Sequence, residues 1–114
     1  MSEEFPKLPD AEILFDEFPS GLLVISVTGT ILKVNTTFCS WVGMEREELV
    51  GKKRLQELFT MGGRIFHQTH WLPTLQMQGP LSEVKSDVRH QDGHTIPMML
   101  NAIRRVTQAG SYDE

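Results

Sequence analysis

Cysteine is nearly absent from these 114 residues: Cys39 stands alone, so no disulfide can form within the chain. A lone thiol fits a reducing compartment, and a cytoplasmic location is expected. A basic excess is missing as well, since 11 lysines and arginines against 15 acidic residues leave a formal charge of -4. Phosphate-binding surfaces carry the opposite imbalance, which argues against nucleic acid as a partner. The longest apolar runs, such as 22–25, are far too short to cross a bilayer, and the opening MSEEF is no signal peptide. No membrane contact is expected.

Catalytic patterns are missing too. There is no Ser/His/Asp ordering, no Gly-rich phosphate loop and no HExxH, and Cys39 has no evident base partner. Met61-Gly62-Gly63 is too isolated to cradle a phosphate and reads as a helix start or hinge. Glu3-Glu4 and Glu47-Glu48 read as solvated faces or as first-turn charges that favour a helix dipole. The chain is not expected to be an enzyme, nor to hold a metal.

What is present is a core-forming composition, 39% hydrophobic and 23% charged, suited to one soluble domain. LPDAEILFDEFP predicts a short helix capped by Asp10 and ended by Pro19, with Ile13, Leu14 and Phe18 as its apolar stripe. GLLVISV predicts a strand buried on both faces, Thr28-Gly29 a hairpin turn, and ILKV the return strand. Asn35 then caps a helix by accepting from the backbone of Thr37 or Phe38, and Phe38, Trp41 and Val42 follow at helical spacing before Gly43.

EREELV and RLQELF predict two further short helices, and 64–78 a longer one kinked by Pro73. In that helix Ile65, Thr69 and Leu72 share one side, with Phe66, His70, Pro73 and Met77 beside them. LSEVKSDVRH and HTIPMMLNAIRRV predict a hairpin about Asp92-Gly93. A two-residue loop would set Gln91 opposite His94, and His90 and His94 on opposite faces, unable to chelate together. Ile96, Met98, Leu100 and Ala102 form an apolar face needing a cover. The tail TQAGSYDE is polar and holds no complete strand.

The run TGTILKVNTTFCSWVGMEREELVGK resembles the core of a PAS domain. Gly29, Ile31, Asn35, Phe38, Gly43, Glu48, Leu49, Val50, Gly51 and Lys52 carry the likeness. It covers 9–106, leaving 1–8 as an N-terminal tail and 107–114 as a C-terminal one. The implied fold is α+β, an antiparallel sheet of five strands in the family with short helices on one face. Met44 and Glu45 depart from the pattern, standing where many members have Tyr and a Ser or Thr cap. The family's strand order, 2-1-5-4-3, places its last strand centrally, yet this chain reaches only SYDE. A truncated last strand is expected, its gap filled by a swapped segment, a second chain or the N-terminal region, or the sheet rearranged.

The stretch MGGRIFHQTHWLPTLQMQG resembles a bacterial signalling branch that precedes histidine kinase, diguanylate cyclase or phosphatase modules. The resemblance implies a sensory module, with a homodimer and an output domain as partners and a small-molecule ligand between sheet and helices. Its pocket wall would include Phe38, Trp41, Ile65, Phe66, Thr69 and Asn101. Haem-bearing relatives point to His67 or His70 as a ligand, although the bland alternative leaves His70 hydrogen-bonded in the core and His67 solvated. Flavin photochemistry lacks its Asn-Cys-Arg-Phe-Leu-Gln motif here, which leaves Cys39 as a small hydrophobe. A purely structural dimerisation domain is the third reading, and Ile13, Leu14, Ile96, Met98 and Leu100 are the interface residues expected of the sensor as well.

Overall fold

One buried side chain joins the first three elements. In a computed structural model describing residues 4–77, 79–107 and 110–114, Asn35 is fully buried between α1 (Ala11–Glu17), β1 (Leu23–Ser26) and α2 (Thr36–Val42). Its Oδ1 accepts from the backbone of Phe38 at 3.1 Å, as the cap predicts, and from Leu22 at 3.0 Å. Its Nδ2 donates to the carbonyls of Phe15 at 3.0 Å and Ser20 at 2.8 Å. All of its side-chain capacity is therefore used, which is what permits full burial. Asp16 adds a second tie, accepting from Thr36 and from Arg46 of α3 (Arg46–Leu49).

β1 pairs with β2 (Ile31–Val34) through the turn at Gly29, whose φ of 99° needs a residue without Cβ. A 3₁₀ turn at Leu55–Leu58 leads into α4 (Met61–Phe66), a π turn at His67–Trp71 and α5 (Leu72–Gln76). Where a kink is expected at Pro73, the helix has this π turn just ahead of the proline. Proline denies a donor to the carbonyl four residues back, and the ladder widens ahead of it, with Leu72 N–H reaching His67 O. His67, Trp71 and Leu75 form the buried face, while Ile65 is 57% exposed. The apolar stripe predicted through Ile65 and Thr69 is thereby corrected; Gln78, Gln108 and Ala109 fall outside the described residues.

β3 (Leu81–Arg89) and β4 (Thr95–Ala102) form the long hairpin, with Arg89 opposite Thr95. His90 N–H donates to His94 O at 2.8 Å, so the loop is Gln91, Asp92 and Gly93, one residue longer than expected. Gly93 takes φ 101° as the left-handed third residue of such a loop. His90 and His94 are consequently cross-strand neighbours on one face, with rings stacked at 4.5 Å, which corrects their expected separation.

After Ile103 the chain continues as β5 (Arg104–Thr107) and returns as β6 (Gly110–Asp113). β6 lies between β1 and β5, pairing Ile25 with Asp113 and Ser26 with Tyr112, in a sheet ordered β2-β1-β6-β5. The tail expected to hold no complete strand thus supplies one at the sheet's centre. The N-terminal region does not fill the gap, since α1 packs on α2. Among the described residues the expected five-stranded sheet is rearranged into two antiparallel sheets, the β2-β1-β6-β5 sheet and the β3–β4 hairpin, and the core includes Ile31, Val34, Phe38, Val42, Leu49 and Phe59.

Candidate functional site

Among the described residues the four-stranded sheet and the β3–β4 hairpin are separate sheets. β4 pairs only with β3 among the described residues, and Leu23 and Val24 of β1 pair only with β2. Between these two edges lies a cavity of about 770 Å³. Its walls are β1, residues 96–102 of β4, Phe38 and Trp41 from α2, and Phe59, Trp71, Leu75 and Val88 from beneath. Asp113 and Glu114 close one end. Mostly apolar walls with a few polar groups are the usual make-up of a small-molecule site. Here the backbone of two strand edges adds hydrogen-bonding capacity.

The closed end is held by charge. Arg104 Nε and a terminal nitrogen donate to the two oxygens of Asp113 at 2.6 and 2.9 Å, and both side chains are nearly buried. The bidentate pair raises the Arg104 guanidinium above its ordinary value. It also sets a carboxylate facing the cavity without leaving it unpaired.

Of the predicted wall residues, Phe38, Trp41 and Asn101 line the cavity, whereas Ile65, Phe66 and Thr69 do not. The last three lie on the exposed side of α4 and the π turn. Asn101 has a second engagement: its Oδ1 accepts from Glu83 N–H at 2.8 Å, holding the β3 bulge where Glu83 takes φ 54°. Ile96, Met98 and Leu100, expected on an outer interface, face inward, half-buried, and line the cavity instead. Pro97 and Met99 take the exposed side. Ile13 and Leu14 are exposed, as an interface needs.

The histidines reverse the expectation. His67 is only 4% exposed and packs on the rings of Phe59 and Trp71, and burial pushes its pKa down. His70 is exposed, stacked flat on Phe66 at 4.4 Å. Neither lines the cavity, so these residues do not fit a haem held there by either imidazole. Cys39 packs half-buried against the core, and burial raises its thiol pKa, the opposite of an activated thiolate. Sequence reasoning passed over Trp71, Leu75 and Asp113. His67, Trp71 and Leu75 stand at i, i+4 and i+8, a stripe hidden because its first member is polar.

A family model for the PAS fold matches residues 12–112. The chain belongs to the PAS family. This PAS domain is 28% identical, over 90 residues, to the phosphoserine phosphatase RsbP of Bacillus subtilis; the match takes in 79% of the chain but 22% of that protein. It superposes on the PAS domain of an HTR-like protein from Haloarcula marismortui with a TM-score of 0.75 and 24% identity, covering 90% of this chain and 87% of the other. A domain of a sensor histidine kinase/response regulator from Geobacter sulfurreducens gives a TM-score of 0.68 and 19% identity, covering 90% and 85%. Among the described residues of this PAS domain, no helix is long and apolar enough to cross a membrane.

Proposed function

We propose that this PAS domain is a regulatory sensor: a small, largely apolar molecule occupies the cavity between β1 and β4, and its presence alters how the domain packs against a second copy and an output domain. The observation that carries the reading is the cavity itself. Its apolar walls include two strand edges, so an occupant can change the spacing of the two sheets. The exposed Ile13 and Leu14 on α1 supply an apolar face for a homodimer. The relatives' names suggest a phosphatase or histidine kinase output, and the single cysteine suits a reducing, cytoplasmic setting.

Native mass spectrometry against the denatured mass tests both parts. A non-covalent addition is expected, together with a dimer that Ile13→Glu/Leu14→Glu converts to monomer. Both tryptophans of the chain, Trp41 and Trp71, line the cavity, so their emission should shift when the extracted ligand is added back. A bare mass with unchanged emission would overturn the ligand. A dimer indifferent to the double substitution would overturn the interface.

A further inference from the structure

The β3–β4 turn gathers three metal-ligating side chains outside the cavity. His90, Asp92 and His94 present one ligand atom each, all within 4.8 Å of one another. This follows from the loop length. Because His90 and His94 pair directly, both imidazoles rise from the same face, and Asp92 at the apex turns its carboxylate back between them. Asp92 Oδ1 lies 3.2 Å from His90 Nδ1 and also contacts His94 Nδ1. Ligands about 2.0 to 2.2 Å from one zinc ion in a tetrahedral shell are spaced by roughly 3.3 Å, so the first separation already fits.

We propose that His90, Asp92 and His94 form a binding site for a divalent transition-metal ion, with zinc as the expected occupant. Two imidazoles and one carboxylate suit zinc, copper or nickel better than calcium or magnesium, which prefer oxygen-only shells. His90 Nδ1 lies 3.1 Å from Asp92 N–H, on the same side of the turn as the Asp92 carboxylate. The metal bond replaces that contact. His94 and Asp92 are exposed, leaving remaining coordination positions to water or to a partner's side chain.

The site is built on a fixed base. The His90 ring rests on Gly43, where an added Cβ would come within 2.4 Å of it, and Gln91 N–H donates to Val42 O at 2.8 Å. The turn is therefore anchored to the end of α2, the helix that carries Phe38 and Trp41 into the cavity wall. Metal binding ties this tip together at a point continuous with β4.

Titration of the untagged full chain with zinc chloride, followed by calorimetry, tests the assignment. One zinc per chain is expected, with affinity at least tenfold weaker in His94→Ala and in Asp92→Asn and unchanged in His70→Ala. Both altered side chains are exposed, and a matching thermal midpoint without metal confirms that the variants fold. Zinc should raise that midpoint in the parent chain and leave it unmoved in His94→Ala. No binding by the parent chain, or equal binding by His94→Ala, overturns the proposal.

Discussion

The junction at Asn35 and the seam between β1 and β4 lie on opposite flanks of the same strand, and they are built on opposite terms. At the junction, a buried side chain donates twice and accepts twice, so α1, β1 and α2 meet with their polar groups paired. At the seam, two strand edges face a cavity, and among the described residues only Ile25 and Ser26 of β1 find a partner in β6. A frame saturated in hydrogen bonds opens only at high free energy, whereas a seam with unspent capacity opens at low free energy. The contrast assigns rigidity to one flank and responsiveness to the other, a division that suits a sensor.

Asn35→Ala should break the comparison most severely. It strands the N–H groups of Leu22 and Phe38 and the carbonyls of Phe15 and Ser20, and buried groups left unsatisfied cost about 1 to 3 kcal/mol each. Allowing for water entry, a net loss of about 3 kcal/mol is expected, or roughly 15 °C in thermal midpoint by circular dichroism. A loss under about 1 kcal/mol would mean that the junction is no firmer than the seam.

Asp113→Asn should act next, and on the other flank. It leaves Arg104 without its carboxylate in a nearly buried setting, at an expected cost of about 2 kcal/mol. Hydrogen exchange should then quicken at residues 23–26 and 110–113 while the amides of Leu22 and Phe38 stay protected. Equal acceleration at both flanks would dissolve the distinction between them.

The junction was also the more legible flank. Gly29, Asn35, Phe38 and Gly43 sit close in sequence, and the turn, cap and core anchor each follow from local chemistry. Even so, only the cap to Phe38 was readable at Asn35; its bonds to Phe15, Ser20 and Leu22 depend on where α1 lies. Phe38, Trp41 and Asn101 reached the cavity wall as the family likeness implied. Ile65, Phe66 and Thr69, carried over on the same likeness, did not, because the face of this segment that turns inward is His67, Trp71 and Leu75. The hairpin slipped by one residue because Asp-Gly suits a two-residue loop, and only the pairing of His90 with His94 fixes the longer one. Strand β6 was missed since GSYD carries little apolar signal and is held by pairing and by Arg104.

His67 packs on two residues of the cavity wall and yields the finest test. Its ring packs between Phe59 and Trp71, centroids 5.8 and 5.3 Å away, and burial holds its pKa below the ordinary 6.5, with the negative charge of Asp113 pulling weakly the other way. The unfolded chain takes up this proton near 6.5, and the folded chain only at lower pH. Stability from this group is therefore intact above that value and declines as pH falls below it, because the unfolded state then binds more protons. Between about pH 7.5 and about pH 5.5 the parent chain should lose more stability than His67→Phe, by about 1 kcal/mol or less. Asp113→Asn removes the opposing charge and should steepen the decline, whereas parallel pH profiles for the parent and His67→Phe would place the proton elsewhere.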